Sequence, residues 1–282
     1  KNTLMTILVS GLMFASCSKQ ETPDNPLLQK WDTPFETAPF EKIKVEHYLP
    51  AFEAAMEEHN KEIQAIIDNA EAPTFDNTIA ALDYAGETLS KVAGVFFNMM
   101  AANTSEELQK VNEQVGPMMA THSDNISMNA KLFEKIKAVY DAKDSQKYTG
   151  EQLALLEKTY NKFVRSGALL DAAKQEELRK VNAELTKVEA KFDANLLKES
   201  KAYQLVIDKE ENLKGLPQGE IEKAAALAKQ EGKEGKWIFT LDNPSFIPFV
   251  TYADNRDLRK EIFNARVNRC NNGGETDNNA LV

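Results

Sequence analysis

Along most of this chain apolar residues recur at steps of three and four, the period of an α-helix with one buried face. Phe52, Met56, Ile63, Ile66 and Ile67 form the first such stripe, with His59 at its edge and Pro50 suited to the opening turn. A second helix is predicted from Ile79, Leu82, Leu89, Val92, Phe96 and Met100, capped by Asp76 or Asn77. Ser105 opens a third, followed by Glu106 and Glu107, acids placed where the helix dipole favours them. Gly116-Pro117 must kink or end it, because proline removes a hydrogen bond and collides with the preceding turn. Leu132, Phe133, Ile136 and Tyr140 mark a fourth, and Thr149-Gly-Glu-Gln152 has the form of a capping box ahead of Leu153, Leu156, Tyr160, Phe163 and Val164. The longest predicted helix runs from Asp171 to about Ser200. Its Leu178, Val181, Leu185, Val188, Phe192 and Leu196 predict a buried stripe packed antiparallel to its neighbours within one domain. No unit repeats at a fixed period, so no solenoid is indicated.

The period changes to two at Tyr203-Gln-Leu-Val-Ile207, a half-buried strand, and a second strand is predicted at Trp237-Ile-Phe-Thr-Leu241. Between them lie a turn at Leu213-Lys-Gly-Leu-Pro217 and an alanine-rich helix from Ile221 to Gln230, so the two strands are expected to pair as a small sheet. Asp254 is placed to cap a last helix, Asn255 to about Cys270, before the polar loop Asn271–Asn279. The predicted fold class is mainly α, a multi-helix body with a small β element near residues 203–241. Four segments are expected: residues 1–16 as a signal peptide, 17–30 as a polar tether, 31–200 as a helical domain and 201–282 as a small α/β segment.

Composition narrows the function classes. With 42% apolar and 28% charged residues the chain is an ordinary globular one. Its formal charge of −10 repels phosphate backbones and argues against nucleic-acid binding. Lys1 and the apolar run Leu4–Ala15 lead into Phe14-Ala15-Ser16-Cys17, which resembles a bacterial lipoprotein cleavage box with Cys17 as the lipidated residue. That apolar run is too short to span a bilayer, which takes about 20 residues. The expected location is the cell envelope, lipid-anchored, on the periplasmic side. With Cys17 lipidated, Cys270 is left without a partner and no internal disulfide can form.

Local signatures of catalysis are missing. A zincin helix needs two histidines one turn apart with a glutamate between them; here there are only His47, His59 and His122, and no two are four apart. His59, beside Glu58 and one turn from Glu62, is expected at the edge of its helix stripe, hydrogen-bonded rather than ligating. Cys270 has no nearby histidine, and Gly273-Gly274 lacks the following lysine or helix start of a phosphate loop. Arg256, Arg259 and Arg266 share one side of the last helix and could bind a peptide carboxylate; salt bridges to neighbouring acids are the favoured alternative. The pairs Phe96-Phe97, Met99-Met100 and Met118-Met119 are expected in the core rather than along a peptide groove. No catalytic, cofactor-binding or metal-binding residue is therefore assigned.

Two stretches carry a resemblance: Ile43-Lys-Val-Glu-His-Tyr-Leu-Pro-Ala-Phe52, and Trp237-Ile-Phe-Thr-Leu-Asp-Asn-Pro-Ser-Phe-Ile-Pro-Phe-Val-Thr-Tyr-Ala-Asp-Asn-Arg-Asp-Leu-Arg-Lys260. Both are similar to segments of the thimet-oligopeptidase-like zinc metallopeptidases, nearest the peptidyl-dipeptidase branch, and the resemblance extends over roughly residues 25–282. It implies a two-lobed enzyme, mostly helical, that encloses a channel for short peptides and releases C-terminal dipeptides, with endo-cleavage as the close runner-up. The family's zinc, held by a His-Glu-x-x-His helix and a further carboxylate, has no ligands in these residues. What the resemblance then implies is an N-terminal, non-catalytic portion, monomeric, that supplies one channel wall, is inactive alone, and stops at a cut end at Val282. The rival expectation is a stand-alone helical lipoprotein acting as a binding module.

Overall fold

The structure is a computed structural model that describes residues 25–282; the expected signal peptide, the expected lipid site Cys17 and most of the expected tether lie outside the described residues. The fold is mainly α with one two-stranded sheet. Among the described residues, contacts cluster into two units: 25–115 with Ala130–Asn161, and Gly116–Asn129 with Lys162–Val282.

In the first unit α1 (Tyr48–Asp68) buries Ala51, Phe52, Ala55, Met56, Ile63 and Ile66, the face its periodicity predicts. The second predicted helix is in fact divided. Thr74, not Asp76 or Asn77, is the cap: its hydroxyl accepts the Asn77 N–H at 3.1 Å while Asn77 returns its side-chain oxygen to the Thr74 N–H at 2.8 Å. A wide turn over Phe75–Ala80 leads into the short α2 (Ala81–Tyr84), and α3 (Glu87–Ala102) starts afresh after Gly86. Gly86 has φ +82°, a conformation that side chains other than glycine's resist.

Next, α4 (Glu106–Ser127) begins where Ser105 Oγ accepts the Leu108 N–H at 3.2 Å, and it passes Pro117 without ending. Within the first unit α5 (Ala130–Asp141) buries Leu132, Phe133, Ile136 and Val139. The Thr149 capping box forms at the start of α6 (Gly150–Arg165), with reciprocal bonds of 3.0 and 3.2 Å to Gln152. Leu156 is buried, whereas Leu153 faces solvent. The centre of this unit is aromatic: Phe96 meets Tyr48 and Phe52 edge-on at 5.0 and 5.4 Å between ring centroids.

The second unit contains α7 (Ala172–Ala202), capped by Asp171, whose carboxylate accepts the Lys174 N–H at 2.9 Å. Its apolar stripe is not buried as expected. Val181 is 60% exposed, Leu185 51% and Phe192 37%. The side of α7 that meets the later part of α4 is polar instead: Asn182 bonds Asp124 at 2.9 Å, Arg179 bonds Asn125 at 3.0 Å, and Thr186 lies over Gly116. The other three members of the predicted stripe, Leu178, Val188 and Leu196, are half-buried.

The sheet pairs as anticipated. β1 (Leu205–Ile207) runs antiparallel to β2 (Trp237–Phe239), with Leu205 opposite Phe239 and Ile207 opposite Trp237. Between them lies α8 (Gln218–Gln230), which buries Ala224 and Ala228 against the unit. Two helices follow. α9 (Asn243–Tyr252) contains Pro244 in its first turn and Pro248 inside, and α10 (Arg256–Val267) is capped by Asn255 rather than Asp254. Asn255 Oδ1 accepts from both Asp257 and Leu258 N–H. Leu205, Ile207, Leu213, Phe239, Phe249 and Ile262 are part of this unit's continuous apolar core.

Candidate functional site

His47 and His59 occupy structural positions. His47 Nδ1 accepts the Lys44 N–H at 3.1 Å, closing a turn, and His47 O accepts from Asn25 at 2.8 Å. The ring of His59 lies against Gly86, 2.9 Å from where a Cβ there would sit, and Glu62, one turn along, accepts the Gly86 N–H at 2.7 Å. His59 and Glu62 thus seat the start of α3. His122 is buried. Among the described residues no three His, Cys, Asp or Glu side chains converge so as to hold a metal ion.

Among the described residues the arginines of α10 neither gather at one subsite nor pair with carboxylates as expected. Arg259 donates to the carbonyl oxygens of Ala253 and Asp254; Arg266 donates to the Leu241 carbonyl and the Asn243 side-chain oxygen, both at 2.6 Å. Arg266 also lies 4.4 Å over the Phe246 ring, and Arg256 is exposed in the first turn. Two guanidiniums therefore bind main-chain oxygens at the two ends of α9. Their bonds fix the proline-bearing helix that sequence periodicity missed.

Cys270 is 4% exposed, and burial together with the adjoining Glu199 carboxylate pushes its thiol up, away from nucleophile chemistry. Glu199 accepts the Cys270 N–H at 2.7 Å, the Thr276 hydroxyl at 3.0 Å and the Asn272 amide. Burial acts to raise its pKa, but these hydrogen bonds outweigh it and hold the carboxyl below its ordinary value. Asn195 and Asn278, both buried, bond at 2.7 Å beside it. Nearby in sequence, the Tyr203 hydroxyl is buried without a hydrogen-bond partner among the described residues, and burial, then Glu261, pushes its pKa up to about 12. Glu199 and the asparagine pair fasten the 270–278 segment to α7, and among the described residues here none pairs a base with a nucleophile.

Of the aromatic and methionine pairs, Phe96 is core, Phe97 is 42% exposed, and Met99, Met100, Met118 and Met119 are half-buried. A groove of about 410 Å³ between α1 and α2 is lined by Glu62, Ile66, Asn69, Asn77 and Tyr84, and its one carboxylate already serves Gly86. What the described surface does offer is the α7 stripe of Val181, Leu185 and Phe192, a row of apolar side chains fit for contact rather than for chemistry. No local signal marked it as exposed, since periodicity gives a face and not its covering.

Comparison with known proteins gives the frame for these features. Residues 52–175 match the family model "Neurolysin/Thimet oligopeptidase, N-terminal domain". The chain is 33% identical over 261 residues to a dipeptidyl carboxypeptidase of Escherichia coli (strain K12), covering 93% of this chain and 38% of that protein. It is 34% identical over 258 residues to a dipeptidyl carboxypeptidase of Salmonella typhimurium, covering 92% and 38%, and 27% identical over 265 residues to oligopeptidase A of Escherichia coli, again 92% and 38%. The chain thus spans about two fifths of the length of these curated relatives, and the part with a family model is an N-terminal domain. On this sequence evidence, together with its helical fold, the chain belongs to the thimet-oligopeptidase-like family.

Proposed function

We propose that this chain is the N-terminal portion of a metallopeptidase that hydrolyses short peptides, releasing dipeptides from their C-termini. The observation that carries the proposal is the 33% identity to a dipeptidyl carboxypeptidase along 93% of the chain. The intact enzyme is zinc-dependent in this reading, with the metal held outside these residues; the donor set here does not fit a zinc site, so no chemical step is assigned to it. The role of this portion is steric: it supplies a wall that admits short peptides and meets the remainder of the enzyme. The exposed apolar row on α7 supports that role, because Val181, Leu185 and Phe192 repeat at contact spacing on an open surface. Cys17 carries the lipid, and the protein sits at the cell envelope on the periplasmic side. Among the described residues no helix is long and apolar enough to cross a membrane.

The test uses the whole open reading frame and the 282-residue chain side by side. With zinc and a chromogenic oligopeptide, the whole protein should release C-terminal dipeptides and lose that activity to a chelator. The 282-residue chain should bind no stoichiometric zinc and hydrolyse nothing. Chelator-sensitive turnover by the shorter chain would overturn the division of labour; whole-protein cleavage confined to internal bonds would overturn the dipeptidase assignment.

A further inference from the structure

The segment between Asn25 and His47 is closed at its base and open at its tip. Asn25 Nδ2 donates to His47 O at 2.8 Å, Trp31 Nε1 donates to Pro26 O at 2.8 Å, and Lys91 Nζ sits 4.0 Å over the Trp31 ring while donating to Gln29 O at 2.6 Å. The tip, Thr33–Thr37, is a built turn: the Glu36 N–H reaches Thr33 O at 3.0 Å, and the Thr33 hydroxyl bonds Thr37 O. Phe35 and Glu36 within it both have positive φ, +59° and +53°, which bulky residues ordinarily avoid. The result is a phenyl ring 98% exposed, followed by Phe40 at 53%, whereas Phe52, Phe96 and Phe249 are fully buried.

We propose that this strap is a membrane-interface contact, in which Phe35 and Phe40 enter the headgroup region of a phospholipid bilayer and fix the orientation of the anchored protein. The proposal rests on the reading of Cys17 as the lipid attachment site. Cys17 is eight residues ahead of Asn25, so the chain can place the lipid no more than about 29 Å from the base of the strap. The bilayer is then a surface permanently within reach, and aromatic rings partition to its interface. Asn25–His47 contains Lys30, Lys42 and Lys44 against Asp32, Glu36, Glu41 and Glu46, so charge neither draws the strap to lipid nor holds it there. The contact is apolar, and added salt should not weaken it.

Photo-crosslinking tests this. Phe35, Phe40 and, for comparison, the exposed Tyr84 of the same unit are each replaced by p-benzoylphenylalanine in the full-length protein from Cys17 onward. Each variant is coupled through the Cys17 thiol to a maleimide lipid in phosphatidylethanolamine–phosphatidylglycerol vesicles and irradiated. Cys270, buried and with its thiol pushed up, does not compete. Lipid adducts at positions 35 and 40, several-fold above position 84 and undiminished in high salt, are expected. Adducts no greater than at Tyr84, adducts to polypeptide in place of lipid, or adducts lost in high salt would overturn the proposal. Lipidation itself is read separately, as the mass of the N-terminal peptide of the protein exported in bacteria, so failure of the anchor and failure of the strap are told apart.

Discussion

Glu199 and Cys270 are separated by 71 positions, yet the carboxylate of the first accepts the backbone N–H of the second at 2.7 Å. With Thr276 and Asn272 on the same carboxylate and the Asn195–Asn278 bond beside it, the segment from 270 to 278 is fastened to the end of α7. The folded pKa of Glu199 is depressed, since hydrogen bonding outweighs burial. Its contribution is therefore fully present above the ordinary carboxylate pKa and is lost as pH falls through the lower folded value, from about pH 4 downward. Glu199→Gln should cost about 1–2 kcal/mol at neutral pH, as a charge-assisted set becomes a neutral one. Urea unfolding across pH checks both points: the variant should lose less stability on acidification than the parent, and equal losses would remove Glu199 from the account.

Local chemistry was readable in the sequence and distant pairing was not. Ser105, Asp171 and the Thr149–Gln152 box act within three residues of themselves, and each caps the helix its neighbours predict. The strand pair followed from alternation and from the turn between. Gly86 escaped notice because Leu82 and Leu89 continue one stripe across it; its left-handed φ becomes intelligible only when His59 and Glu62 of α1 are seen against it. α9 was missed because two prolines argue against a helix, while the Arg266 bonds that hold its start lie about twenty residues downstream. For the candidate site the limit was different. Residue types showed what chemistry is lacking, but whether the α7 stripe is covered depends on the partners it meets, which periodicity cannot report.

Gly215 is held between two backbones. Its φ is +86°, and a Cβ there would stand 2.1 Å from the Tyr252 carbonyl oxygen and 2.9 Å from the Asp254 nitrogen, whose N–H bonds Lys214 O at 2.8 Å. Gly215→Ala must both strain its own backbone and push the α9–α10 junction away. A loss of about 2–4 kcal/mol in chemical denaturation is expected. Gly232→Ala, also at positive φ but with open space around it, should cost only about 1 kcal/mol.

Arg266 combines two directed bonds, to Leu241 O and Asn243 Oδ1, with its stack on Phe246. A lysine ammonium can approach one oxygen but cannot lie flat on the ring while bonding both. Arg266→Lys should therefore destabilise the second unit by about 1–3 kcal/mol despite keeping the charge. Thermal unfolding of the two proteins checks this, and an unchanged midpoint would show that the carbonyls find other donors.

Tyr203 offers the opposite case. Its hydroxyl is buried with no partner among the described residues, so the folded state bears the cost of drying it. Tyr203→Phe keeps the ring and removes that cost, and should be neutral or stabilising by up to about 1 kcal/mol. Denaturant melts at fixed pH provide the comparison. A loss near 2 kcal/mol would mean that the hydroxyl is hydrogen-bonded in solution.

Leu185 and Leu132 distinguish contact from core. Leu132 is fully buried and Leu185 is 51% exposed in the middle of the α7 row. Leu132→Ala should cost about 2–5 kcal/mol wherever it is measured, because it opens a cavity. Leu185→Glu should change the stability of the 282-residue chain by about 0.5 kcal/mol or less, since water already reaches that side chain. In the whole enzyme the same charge would lie where the proposed wall meets peptide or the remaining polypeptide, and peptidase activity should fall several-fold while the shorter chain stays as stable as before. If activity is untouched, the stripe is surface without function. If the shorter chain unfolds, α7 is covered in solution by something within the chain itself.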